Sequence, residues 1–240
     1  MKILALDSSG LVASVAVLDE ETLLAEYTVC HKKTHSQTLL PMLDEAVKNI
    51  ELDLHTIDAV AVAAGPGSFT GLRIGSATAK GLGLALDKPL MGVETLAALA
   101  YNLYDTEGLI CPIMDARRRQ VYTGIYRFAG HRLETVSGQE AIGIDELLKK
   151  LEGLGGPVTF LGDGVPVFRQ RIEETFCQPF SFAPPHLSRQ RAGAVGALGM
   201  QYYKEGKIQT AAEHRPEYLR VSQAERERAE RERRAQEGQE

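Results

Sequence analysis

Much that would mark an enzyme or a membrane protein is missing from this sequence of 240 residues. Cysteine is scarce: Cys30, Cys111 and Cys177 are the only three. Their odd number and wide spacing argue against a disulfide framework or a zinc site and fit reduced thiols, so a cytoplasmic location is expected. Positive charge is not in excess either, with 27 lysines and arginines against 32 acidic residues and a formal charge of −5. That balance gives no global attraction for nucleic acid and leaves RNA contact to a local patch or a partner. The first apolar run, Ile3-Leu4-Ala5-Leu6, is cut short by Asp7, so no secretory signal is expected. The stretch from Gly71 to Leu86 is too short to span a bilayer and is interrupted by Arg73 and Lys80, so no membrane partner is expected. No Ser-His-Asp or Cys-His set can be picked out from spacing alone, because a triad is a spatial fact.

What the chain does have is glycine, concentrated where a strand becomes a helix. Ala59 to Ala63 reads as a buried strand that Gly65-Pro66-Gly67 stops abruptly. A helix follows, with Thr70 as its cap, and runs to Leu86 before Pro89. Four glycines lie in that helix, each costing roughly 1 kcal/mol against alanine. Gly71, Gly75, Ala79 and Gly83 recur every four residues and line one face with the smallest side chains, which lets another backbone approach closely. The loop matches neither the Walker pattern nor the dinucleotide fingerprint, whose third glycine falls where Thr70 stands. A tight turn with a close helix contact is therefore preferred to phosphate binding.

Before this element come strands at Ile3–Leu6, Ser14–Leu18 and Leu23–Val29, then a helix carrying Leu39, Leu43, Ala46, Val47 and Ile50, with Ser36 or Thr38 as cap. After it come a short strand at Leu90–Val93 and a helix from Thr95 to Tyr104. The opening unit then recurs: Ile110–Met114 is an apolar strand ended by Asp115, and Val121–Tyr126 returns from it, as Ser14–Leu18 returns after Asp7. Repetition at this scale predicts an α/β protein of two related halves, residues 1–106 and 107–222, with the last helix packing back on the first half. That second half also reads as helices at Glu146–Leu151, Val167–Phe176 and Arg189–Tyr203 and a strand at Val158–Leu161. Residues 223–240 form a Glu/Arg-rich tail with nothing apolar to anchor it, read as solvated, disordered or an extended helix.

Few side chains suggest chemistry. His31 and His35 are four apart, but no helical signal places them on one face and no third metal ligand stands near in sequence. Asp7, Ser8 and Asp115 end strands that point toward an interdomain cleft, where acidic groups can position a metal–nucleotide or can cap their own turns. Arg117-Arg118-Arg119 could touch phosphate, though arginines in a hairpin turn are more often simply solvated.

Ile3-Leu4-Ala5-Leu6-Asp7, His35-Ser36-Gln37-Thr38-Leu39-Leu40-Pro41, Gly65-Pro66-Gly67-Ser68-Phe69-Thr70-Gly71-Leu72-Arg73-Ile74-Gly75, Gly92-Val93 and Met114-Asp115-Ala116-Arg117 with Val121-Tyr122 together resemble the TsaB (YeaZ) family. The resemblance implies an actin/Hsp70-like fold of two related subdomains and a part in making N6-threonylcarbamoyladenosine at position 37 of tRNAs. The implied part is support rather than catalysis. A paralogue, TsaD, carries the metal and transfers the threonylcarbamoyl group, and an ATPase, TsaE, joins the two. TsaD-like chains bear a His-x3-His motif where this sequence reads Val93-Glu94-Thr95-Leu96-Ala97-Ala98-Leu99, and the actin-like Asp-x-Gly-Ser/Thr turn is altered here to Asp7-Ser8-Ser9. No activity, metal or cofactor is therefore expected of the chain alone, with ATP or ADP expected only at the assembled complex. tRNA would be reached through that complex, and a homodimer is a competing assembly. Alternatives are an actin-fold phosphotransferase and, further off, a metallopeptidase-like enzyme. The partner interface is expected on Leu39, Leu43, Val47 and Ile50 together with Gly71, Gly75, Ala79 and Gly83, the rival being that the small-residue ladder packs only inside its own domain.

Overall fold

The structure, a computed structural model, describes residues 1–31 and 34–220. The expected tail at 223–240, like Lys32 and Lys33, lies outside the described residues.

Strands β1 (Lys2–Asp7), β2 (Val12–Asp19) and β3 (Leu23–Cys30) form an antiparallel meander. Helix α1 (His35–Asn49), β4 (Ala59–Gly65), α2 (Phe69–Leu86), β5 (Leu90–Glu94) and α3 (Thr95–Tyr101) follow. The first sheet has the order β3-β2-β1-β4-β5, with β4 and β5 parallel to β1. The second half runs β6 (Leu109–Asp115), β7 (Gln120–Ala129), β8 (Arg132–Gly143), α4 (Ile144–Leu154), β9 (Val158–Leu161), α5 (Val165–Thr175), β10 (Phe180–Phe182) and α6 (Ala192–Lys204). Its sheet order, β10-β9-β6-β7-β8, is the first order with each strand replaced by its successor in the repeat. Both halves thus read β-β-β-α-β-α-β-α, and the protein has the actin/Hsp70-like fold.

The central strands are apolar without interruption because both faces of the first sheet are covered. Side chains alternate: Leu4, Leu6, Val60 and Val62 pack under α1 and α2, while Ile3, Ala5, Ala59 and Ala61 face α3 and α6. The alanines are on the side where two helices crowd the sheet. A Cβ at Gly199 of α6 would stand 2.8 Å from that of Ala61, and one at Gly196 would collide with Leu18. Ile110, Met114 and Tyr126 of the second sheet share this core, so α3 is packed between the two halves. Cys111, Ile113 and Phe160 point the other way, under α4 and α5.

Several local expectations change. Ser68, not Thr70, caps α2, its side chain accepting the Gly71 amide at 3.2 Å. Helix α1 starts at His35 after Thr34, and neither Ser36 nor Thr38 caps it. Helix α3 stops at Tyr101, three residues early. β8 and β10 were not legible: β8 is partly exposed and interrupted by polar residues, and β10 has only three residues.

The largest correction concerns the small-residue ladder. Gly71, Gly75, Ala79 and Gly83 are all buried, and they face the chain's own first sheet and its turns. A Cβ at Gly71 would collide with the carbonyl of Ser8, one at Gly75 would stand 2.5 Å from Ser8 Oγ, and one at Gly83 would run into Leu90. Leu39 and Leu43 are buried in the same cluster, with Val47 and Ile50 packed against it. Six of these eight positions are buried in internal packing, while Val47 and Ile50 are partly buried at its edge.

Candidate functional site

Between the two halves lies an open cleft of ≈ 760 Å³. Its walls are strand ends and turns at equivalent places in the repeat: Ser9 and Gly10 follow β1, Asp115 ends β6 and Ala116 and Arg117 follow it, Gly67 and Ser68 lead from β4 into α2 at Phe69, and Asp163 follows β9. The two halves even share a device. Ser68 donates its amide to the Ser9 carbonyl at 2.6 Å, and Gly164 donates its amide to the Ile113 carbonyl at 3.0 Å, so each β–α turn is tied to the first strand of its sheet or the turn after it.

The turn after β1 spends its polar groups internally. Asp7 Oδ1 accepts the Ser9 amide at 2.8 Å and the Ser9 hydroxyl at 2.6 Å. Ser8 Oγ donates to the Gly71 carbonyl at 2.9 Å. Burial pushes the Asp7 carboxyl up to about 6, against the opposing pull of the Ser9 hydrogen bonds and of His35. The imidazole Nε2–H of His35 donates to the Gly10 carbonyl at 2.8 Å, which joins the start of α1 to this turn. His35 Nδ1 is buried without a partner among the described residues.

Asp7, Ser8 and Asp115 therefore differ in position. Asp115 lines the cleft, whereas Asp7 and Ser8 lie behind its wall and are buried. Asp115 is held by its neighbours: its carboxylate accepts the Arg117 amide at 2.8 Å, and its own amide donates to Asp163 Oδ1 at 3.0 Å. Burial raises the Asp163 carboxyl above the usual range, the Asp115 amide opposing it. Among the described residues, no three or more His, Cys, Asp or Glu side chains group as a metal site, and no helix is long and apolar enough to cross a membrane.

Several cleft residues escaped the reading of the sequence. After α6 the chain turns back as a strap: Gln209 exchanges backbone hydrogen bonds with Leu90, both at 2.8 Å, and the Glu217 amide donates to the Ala64 carbonyl at 2.7 Å. Tyr218 then stacks on Phe69 with ring centroids 4.6 Å apart, Arg73 covers the Phe69 ring at 4.0 Å, and Arg220 Nη1 donates to the Ala116 carbonyl at 2.7 Å. Nothing in the sequence signals this segment's role, because a strap bonded through its backbone leaves no side-chain periodicity.

Comparison with known proteins agrees with this architecture. A family model described as "TsaD: tRNA N6-adenosine threonylcarbamoyltransferase" matches residues 23–228. The chain is 35% identical over 225 residues to the tRNA threonylcarbamoyladenosine biosynthesis protein TsaB of Bacillus subtilis (strain 168), covering 94% of this chain and 96% of that one. It is 29% identical over 223 residues to the protein of the same name from Escherichia coli (strain K12), covering 92% and 95%. Among solved structures, YeaZ from Pseudomonas aeruginosa superposes with a TM-score of 0.78 at 27% identity, over 91% of this chain and 99% of that one.

Proposed function

The chain belongs to the TsaB family, and on that premise we propose that it is a non-catalytic subunit in the formation of N6-threonylcarbamoyladenosine at position 37 of tRNAs. It acts as scaffold and activator for a TsaD-type paralogue, in a complex that a TsaE-type ATPase joins. The observation that carries this reading is the closed state of the turn after β1. A polyphosphate site needs free backbone amides and hydroxyls aimed at the ligand. Here the Ser9 amide and hydroxyl are bonded to Asp7, the Ser8 hydroxyl to Gly71, and the Ser9 carbonyl to Ser68. The turn supports α2 rather than a nucleotide.

The faces left for a partner are the outer sides of α1 and α2. Leu40 is 54% exposed and Leu84 is 74% exposed. Ala77, Gly81 and Leu84 follow one another at helical spacing on the outer side of α2, and a Cβ at Gly81 would meet nothing within 4 Å. A helix edge built from small residues beside a leucine suits close packing against a second helix pair.

The test is reconstitution. Purified with a TsaD-type and a TsaE-type protein, the chain should co-elute with the first, and modified adenosine should accumulate only when it is present. Alone it should retain no stoichiometric metal and hydrolyse ATP at background rate. Modification at full rate without it, or ATP turnover by the isolated chain that Asp7→Ala abolishes, would overturn the reading.

A further inference from the structure

The hairpin joining β6 to β7 is held in a shape its residues disfavour. Arg117, Arg118 and Arg119 lie at φ 64°, 55° and 59°, three left-handed residues in succession. In that conformation Cβ crowds the following carbonyl, which is why glycine is the usual occupant. The turn is pinned nonetheless: the Ala116 amide donates to the Gln120 carbonyl at 3.0 Å, and Arg220 reaches across from the strap to the Ala116 carbonyl at 2.7 Å. Shape alone therefore does not call for arginine at these positions, and the side chains need another account.

Their charge is only partly answered by neighbours. Asp115 stands 3.8 Å from Arg117, and Asp145 stands 4.0 Å from Arg119 but is already bonded to Arg171 at 2.7 Å. Arg118 is exposed and has no carboxylate partner among the described residues, and the amides of Arg118 and Arg119 find no acceptor there. The side chains of Arg117 and Arg119 are 88% and 79% exposed. A tight left-handed turn thus presents three exposed arginines beside a cleft that Arg117 lines together with Arg220, Phe69 and Tyr122.

We propose that this hairpin is a contact site for the phosphodiester backbone of an RNA. The inference rests on the chain being a subunit of a tRNA-modifying assembly. Guanidinium groups bind phosphate oxygens through paired hydrogen bonds, and unpaired amides beside them add donors that suit a tetrahedral anion. With a net charge of −5 on the whole chain, such a patch gives weak, salt-sensitive binding by itself and contributes to a larger RNA surface in the complex.

The experiment is tRNA binding by the full chain across a series of low salt concentrations, with melting temperature and co-elution with a TsaD-type partner followed in parallel. The triple variant Arg117→Gly, Arg118→Gly, Arg119→Gly removes the charge while suiting the left-handed turn, so its melting temperature should hold or rise. Its slope of log affinity against log salt should be shallower by about two to three, at roughly 0.7–0.9 for each phosphate no longer neutralised. The triple lysine variant should keep the slope. Arg118→Gln alone, a mild change should the glycine variant fold poorly, should remove about one unit. An unchanged slope, or no tRNA binding by the parent chain at low salt, overturns the proposal. So does loss of co-elution in the glycine variant with the slope intact, which would assign the arginines to an acidic protein surface. Failure of the premise reads differently: the parent chain would not co-elute with the TsaD-type partner, whatever its salt slope.

Discussion

Glu26 on β3 and Arg191, just ahead of α6, are joined across 165 positions of the chain. Arg191 Nε donates to Glu26 Oε2 at 3.0 Å, its Nη2 donates to the same oxygen, and Glu26 Oε1 accepts the Gly193 amide at 2.8 Å. One carboxylate thus binds a guanidinium and the first turn of a helix at once, a position favoured by the helix dipole. It holds α6 on the first sheet, and with α6 comes the strap that reaches the cleft.

Truncating that carboxylate leaves a half-buried arginine and an N-terminal helix amide without their acceptor. Glu26→Ala should cost about 2–4 kcal/mol of stability by urea unfolding, the higher figures applying to fully buried pairs. A loss below about 0.5 kcal/mol, the level of an ordinary surface change, would show that the clasp does not hold α6.

Two glycines of α2 should respond in opposite ways to the same substitution. At Gly71 a new methyl group meets the Ser8 carbonyl, so Gly71→Ala should destabilise by about 1–3 kcal/mol. At Gly81 it meets nothing within 4 Å, so Gly81→Ala should stabilise by up to about 1 kcal/mol through helix propensity alone. Melting curves of the two variants, compared with the parent, check the inward orientation of the ladder.

Asp7 should give the protein a distinctive pH response. Its folded-state pKa is raised to about 6, so the folded chain holds a proton that the unfolded chain releases near pH 4. The stabilisation from that proton is fully present below about pH 4 and is lost as the pH rises through about 6. In Asp7→Asn the amide oxygen could still accept the Ser9 bonds without ionising. Relative to that variant, the parent should therefore lose about 2–3 kcal/mol of stability between pH 4 and pH 7.5. Parallel pH dependences for the two proteins would show that Asp7 is ionised throughout.

Charge on the outer helix faces should separate folding from assembly. Leu84→Glu and Leu40→Glu alter side chains that are mostly exposed, so melting temperatures should move little. Co-elution with a TsaD-type partner should fall by at least tenfold in apparent affinity, the scale of one interface residue worth more than about 1.4 kcal/mol. Intact co-elution of both variants would place the interface elsewhere.

Which of these features the sequence announces depends on how each is made. β1, β4 and β6 were legible because strands buried on both faces are apolar throughout, and the duplicated hairpins were legible because Asp7 and Asp115 end like strands. The ladder of Gly71, Gly75, Ala79 and Gly83 announced a close approach but not its target. Periodicity gives the spacing on one helix and says nothing of the Ser8 carbonyl it meets. Asp163 was visible only as part of a turn, since its place beside Asp115 depends on β6 and β9 being neighbours. The strap from Gln209 to Arg220 was least legible, because its hydrogen bonds to Leu90 and Ala64 run through the backbone and place no demand on residue type.

Helix α6 and the strap also bear on the order in which the chain can be made. The face of the first sheet formed by Ala5, Leu18 and Ala61 is closed by α6, and Leu90 at its edge is paired by Gln209. Both covers are made roughly a hundred or more residues after the strands they close, so a nascent first half carries a bare apolar face and an open sheet edge until they emerge. The two halves are alike in topology yet are not separable pieces: cut between Tyr104 and Gly108 and expressed alone, the first would lack the helix that completes it.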